Sequence, residues 1–180
     1  MIQPNSEIIK TSLMAYFRYK RQWICATEVL VGIIGETADV MVDTGQDIRE
    51  IEIKCSKQDL WQGEKRKRKH HWYAKDNRDK GVNSFYICVP TKLLIEAEKW
   101  VKETNSKYGI IEFSTNYLQQ PHFRFEEALN FIKRAKSISS VYSKDLKEKI
   151  VYRMCSELIV EKENRLKDYI TKVKVNNAQI

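Results

Sequence analysis

Between Ala38 and Cys55 the chain reads ADVMVDTGQDIREIEIKC: Asp39 is a lone carboxylate in one apolar run, and Glu52-Ile53-Lys54 lies in the next. A carboxylate in an apolar strand is costly unless it meets a cation or hydrogen-bond donors. On a strand, Glu52 and Lys54 project to one side while Ile51, Ile53 and Cys55 project to the other. If the two runs pair through the turn from Asp43 to Asp47, Asp39 and Glu52 come together with a lysine beside them. Two carboxylates suit a hard divalent ion, Mg2+ or Mn2+. Such an ion stabilises charge on a phosphate and acidifies a bound water, and Lys54 would position that water or stabilise the developing charge. The chemistry is phosphodiester hydrolysis, with no Ser or His nucleophile required. A Glu-x-Lys pair also decorates the solvent face of many strands, so the weight of this one comes from the elements around it.

Those elements can be read from periodicity. Asn5 to Arg21 opens with candidate caps, Asn5 or Ser6, and places Ile9, Leu13, Tyr16 and Phe17 at helical spacing. Three β-branched segments follow, Ile24 to Ile34, Thr37 to Val42 and Ile48 to Cys55, divided by Gly32/Gly35 and by the 43–47 turn; they predict an antiparallel meander. Ser56-Lys57-Gln58-Asp59 has the form of a capping box and predicts a helix to about Lys75. Ser84 to Val89 and Gly109 to Phe113 read as strands around a helix from Leu93 to Glu103. The order α-β-β-β-α-β-α-β implies a mixed sheet covered by helices. From Phe125 to Val173 the pattern reads as two or three helices, so residues 1–123 are expected to form the core and 124–180 a helical C-terminal extension packed on the core or on a partner chain.

The set Asp39, Glu52-x-Lys54 within this order resembles the PD-(D/E)XK nuclease superfamily. Glu52-Ile-Lys54-Cys-Ser56-Lys-Gln-Asp59-Leu60, followed by Lys69-His70-x-x-Tyr73 and Phe85-Tyr86-Ile-Cys-Val89-Pro90, resembles most the MmcB-like group associated with DNA repair and related phage nucleases. The resemblance spans roughly Asn5 to Phe113. It implies an α/β fold with a restriction-endonuclease-like core (αβββαβ) and a metal-dependent deoxyribonuclease acting in DNA repair, recombination or the processing of phage and mobile-element DNA. Asp39 and Glu52 would be metal ligands, the backbone carbonyl of Ile53 a third, and Lys54 the catalytic lysine. Glu7 and Glu28 are the candidates for an additional acid. The proline that names the superfamily is absent, since Thr37-Ala38 precedes Asp39, and a second acid usual in the MmcB-like helix falls on Gly63 or Glu64.

With 32 Lys and Arg against 24 Asp and Glu, the net charge of +8 favours a polyanionic partner, nucleic acid before membrane. The run Lys65-Arg66-Lys67-Arg68-Lys69-His70, with Lys57 and Gln58 just before it, is the expected DNA-facing surface, through sequence-blind phosphate contacts. Trp61, Trp72 and Tyr73 could stack on bases but fit a core equally well. The longest apolar stretch, Trp23 to Ile34, is broken by Glu28 and too short to span a bilayer. Four scattered cysteines without a CxxC pair argue against zinc and for reduced thiols, and a cytoplasmic location is expected. Two other readings compete: a non-catalytic DNA-binding protein that keeps the nuclease-like fold, and an interaction protein whose tail, through Ile150, Met154, Leu158 and Ile159, joins two copies as a homodimer.

Overall fold

The computed structural model describes residues 4–31, 35–75 and 81–177. Helix α1 (Ser6–Ala15) starts where the Asn5 side chain accepts the Ile8 N–H at 2.9 Å, and it continues as a π turn over Tyr16–Lys20. Its apolar stripe, Ile9, Leu13 and Phe17, is fully buried. The meander follows as β1 (Ile24–Val31), β2 (Glu36–Asp43) and β3 (Ile48–Ile53), antiparallel throughout. The end of the segment read as running to Ile34, including Gly32, lies outside the described residues. The β2–β3 turn is held by Thr44 N–H to the Asp47 carbonyl at 3.0 Å and Gly45 N–H to the Asp43 carboxylate at 2.8 Å. Gly45 adopts φ +88°, a conformation that disfavours any residue with a Cβ.

Strands β4 (Ser84–Pro90) and β5 (Gly109–Phe113) join parallel to β3, and helix α3 (Leu94–Thr104) bridges them. The central strand β4 is buried at every position, as its unbroken apolar run requires. One face of the sheet is covered by α1 and the other by Tyr73, α3 and the start of the C-terminal helix. The chain is thus an α/β protein with a mixed six-stranded sheet in the order β1-β2-β3-β4-β5-β6.

The sixth strand corrects the sequence reading. Residues 129–133, expected to be helical, form β6 (Leu129–Lys133), antiparallel to β5. Without it β5 would present an open edge of unpaired backbone groups. A single helix follows, α4 (Lys144–Asn177), in place of two or three. It buries Leu146 and Ile150 on the core, whereas Met154, Leu158 and Ile159 are exposed. It also closes the other edge of the sheet: Arg153 Nε donates to the Thr27 carbonyl at 3.0 Å, and Glu157 accepts from the Thr27 N–H and hydroxyl.

A second correction concerns the helix after β3. Ser56 Oγ accepts the Asp59 N–H at 3.1 Å, as the capping box predicts. The coil then runs as a π turn (Asp59–Gly63) and a 3-10 turn (Glu64–Arg66) before Lys67 turns extended, at ψ 134°, and α2 (Arg68–Ala74) begins. No helix among the described residues is long and apolar enough to cross a membrane. Cys25 and Cys88 are buried, Cys55 is half-buried and Cys155 is exposed, and all four are free thiols.

Asn83, unremarked in the sequence, ties the parallel half of the sheet to the chain leading into α4. Its Oδ1 accepts the Ile48 N–H at 2.8 Å, and its Nδ2 donates to the carbonyls of Ser139 and Val141, both at 3.0 Å. Asn83→Ala leaves these groups without the side chain that meets them, and should lower stability by about 2–3 kcal/mol in urea unfolding.

Candidate functional site

Along β3 the alternation of a strand puts Glu50, Glu52 and Lys54 on one face and Ile51 and Ile53 on the other, in the α1-side core. The β2–β3 ladder ends at the Val40–Ile51 pair, and its register, carried one residue on, sets Asp39 beside Glu52. Where the ladder stops, Asp39 Oδ2 accepts the Ile53 N–H at 2.7 Å, so the carboxylate replaces a lost strand partner and holds the two strand ends together. Asp39, Glu52 and Lys54, separated by up to fifteen residues in sequence, therefore meet at one end of the meander.

The crossover after β3 brings more charge to this point. The break at Lys67 turns its side chain and those of Glu64, Lys69 and His70 inward. Glu52, fully buried, is ion-paired with Lys69, with Lys67 at 2.6 Å and with Lys54 at 3.3 Å. Glu64 lies 2.9 Å from Lys67, 3.1 Å from Lys54 and 3.3 Å from Lys69, and is hydrogen-bonded to His70 at 2.9 Å. Glu50 pairs with Lys69 at 2.7 Å and accepts the Tyr73 hydroxyl. His70 reaches on to the Tyr108 hydroxyl at 2.9 Å. Of the two positions Gly63 and Glu64, it is Glu64 whose carboxylate enters this network, and Glu50 and Tyr73 belong to it as well.

The electrostatics follow from crowding in a dry place. Burial, and then the Glu64 carboxylate, push Glu52 up to about 8 against the pull of Lys69. Burial would raise Glu64 too, but the His70 hydrogen bond and the ammoniums of Lys69, Lys54 and Lys67 outweigh it and hold that carboxyl well below the usual range. Burial favours the neutral form of Lys69 and Lys54; the surrounding carboxylates override it and keep both charged above the ordinary lysine value. Burial and the adjacent Glu50 hold the Tyr73 hydroxyl protonated well above its usual range.

Several expected site residues lie elsewhere. Glu7 and Glu28 both pair with Lys10 of α1. Glu28 sits across β1 from Asp39 in register, yet its backbone is left-handed at φ 50° and its carboxylate turns to α1. In the basic run, Lys69 and His70 are not surface residues: Lys69 is fully buried among three carboxylates, which corrects the expectation that these two face nucleic acid. The reason is that three buried glutamates require internal counter-charge. Lys67 is intermediate, its side chain 28% exposed. Arg66 and Arg68 are exposed; Lys65 pairs with Glu103 at the surface and lies over the Trp61 ring; Lys57 pairs with Glu96; and Gln58 is exposed beside Gln62. Tyr73 is core, and the Trp61 indole N–H donates to Glu96 at 3.0 Å.

The donor chemistry of Asp39, Glu52 and Glu64 suits a hard divalent ion. Glu64 Oε2 is buried and already lies 2.9 Å from the Lys67 ammonium and 3.1 Å from that of Lys54. Both Glu52 oxygens likewise meet ammoniums, and among the described residues no group of three or more His, Cys, Asp or Glu is already arranged to hold a metal. Lys67, the only one of the three inward lysines with substantial exposure, stands between Glu52 and Glu64.

Lys69 pairs with three buried carboxylates, Glu50, Glu52 and Glu64. Lys69→Met should destabilise the fold by about 3–5 kcal/mol, and adding Glu50→Gln should recover part of that loss; additive losses in the double-mutant cycle would show that the two groups do not interact.

No protein-family model matches the chain, and no curated protein matches it. Among solved structures it is similar to the SPO1766 protein of unknown function from Silicibacter pomeroyi, at 12% identity and a TM-score of 0.52, over 93% of this chain and 94% of that one. The likeness is one of fold.

Proposed function

We propose that the chain is a metal-dependent nuclease that hydrolyses DNA phosphodiester bonds, built on a restriction-endonuclease-like core. The observation that carries this reading is the convergence of Asp39, Glu52 and Lys54 at the split end of β2 and β3, followed in the chain by a crossover that carries the exposed side chains of Lys57, Lys65, Arg66 and Arg68. Asp39 and Glu52, with the Ile53 carbonyl, would hold Mg2+ or Mn2+. The ion would supply Lewis-acid stabilisation of the phosphate and an acidified water. Lys54, kept charged by the carboxylates around it, orients the attacking water or meets the charge that develops on the phosphate. Asp39 and the Ile53 N–H fix the strand ends, so the two acids are positioned before substrate arrives. The exposed cations hold the DNA backbone without reading its sequence.

Lys67 bears on this site: it occupies the approach to Glu52 and reaches solvent, so it would be free to turn outward toward a phosphate if a divalent ion held by Asp39 and Glu52 took over its role as counter-charge. Lys67→Ala should therefore lower the Mn2+ concentration needed for half-saturation several-fold in calorimetry while weakening DNA binding; unchanged Mn2+ affinity would exclude this role.

The direct test is cleavage. Purified protein should degrade DNA with Mg2+ or Mn2+ and not with EDTA, and Glu52→Gln and Lys54→Ala should each lose on the order of 10²–10³-fold in rate with circular dichroism unchanged. Equal cleavage by all three proteins would refute the assignment. The second reading, a non-catalytic DNA-binding protein, draws on one specific observation: Glu52 is already neutralised internally by lysines. It expects no cleavage, and binding whose log K falls with log salt at a slope of about −3 to −4 if the four exposed cations each neutralise one phosphate.

A further inference from the structure

On the opposite face of the sheet from Glu52, a cavity of about 350 Å3 opens between the π turn after α1 and strands β3, β4 and β6. We propose that it binds a nucleotide unit, a planar base carrying a phosphate. The proposal stands independently of the nuclease reading, because Arg49 and its neighbour Glu50 point to opposite faces of β3 and the two sites share no residue.

Three guanidiniums converge on this cavity, from Arg21, Arg49 and Arg134, and no carboxylate lines it among the described residues. Arg49 has one counter-charge, Asp47 at 3.7 Å. Arg21 donates from Nε and Nη2 to the neutral Tyr16 hydroxyl, at 3.0 and 2.8 Å. Arg134 is exposed and has no ion-pair partner among the described residues. Three like charges that share a single, long counter-charge contact repel one another, and a dianion placed among them relieves the repulsion. Guanidinium forks match phosphate oxygens bidentately, which lysine does not.

The rest of the wall is aromatic. The Arg49 guanidinium lies 4.6 Å over the Trp23 ring, and Tyr86 and Tyr16 meet Phe131 at ring-centre distances of 5.9 and 5.3 Å. Such surfaces accept the π face of a base, and stacking of that kind does not depend on sequence. Gly109 keeps the floor in place: a Cβ there would collide with the Tyr86 ring and lie 2.8 Å from the Ala135 nitrogen. The volume fits a base with its phosphate. An aliphatic acidic peptide would use the guanidiniums and leave the aromatic wall unused.

The test is calorimetry on the full chain with AMP, adenosine, inorganic phosphate, and a short oligothymidylate with and without a 5′-phosphate. AMP should bind saturably with Kd below about 1 mM, and adenosine and phosphate at least tenfold more weakly. Arg134→Ala, which removes an exposed side chain without an ion-pair partner among the described residues, should weaken AMP at least tenfold, as should Arg49→Ala, while Lys162→Ala, on the exposed part of α4, leaves it unchanged. Tighter binding of the 5′-phosphorylated strand than of AMP, lost in Arg134→Ala, identifies a strand end as the source of the nucleotide; tighter binding of AMP identifies a free nucleotide. No AMP binding, AMP binding indifferent to both arginine substitutions, or inorganic phosphate binding as tightly as AMP would each overturn the proposal.

Discussion

Three glutamates, Glu50, Glu52 and Glu64, are fully buried beside the sheet, and each must find positive charge without the help of water. An isolated carboxylate in such a place is intolerable, so the crossover between β3 and β4 is organised around supplying ammoniums. Lys69 meets all three carboxylates, and Lys54 and Lys67 bridge Glu52 and Glu64. The irregular path of residues 59–74 follows from this need. An unbroken helix turning 100° per residue cannot send Glu64, Lys67, Lys69 and His70 all to one side, whereas a coil interrupted at Lys67 can.

The same constraint gives the two faces of the sheet different chemistry. On one, a strand-end carboxylate, Asp39, lies beside the buried ionic cluster. On the other, the alternation that sends Glu50 and Glu52 to the cluster sends Arg49 outward, toward Trp23 and the rings around it. A shift of β3 by one residue would exchange the two sets of side chains, so the tight Asp43–Asp47 turn that sets the register also sets which face each charge occupies.

The distribution of basic charge acquires meaning only against this background. A net charge of +8 suggests a polyanion, but part of the lysine content serves the interior, and part is tied to surface glutamates such as Glu96 and Glu103. The exposed arginines with no ion pair among the described residues include Arg66 and Arg68, just after Glu64 in the chain, and Arg134 on the far face.

Much of the frame could be read from residues alone, since it depends on local periodicity: the Asn5 cap of α1, the three-stranded meander, the Ser56 cap, the apolar β4 and the period-two placement of Glu52 with Lys54. The sequence also singled out Asp39, because an unexplained carboxylate in an apolar strand is conspicuous. It could not show that 129–133 is a strand, since that depends on β5 lacking another partner, nor that Lys69 and His70 point inward, since a basic run looks the same whether it faces water or buried acids. Asn83, Glu50 and Glu64 acquire their roles from residues distant along the chain. Local pattern determines which elements form; which charges are neutralised and which stay available is decided by long-range packing, because only packing removes the water that would otherwise satisfy them all.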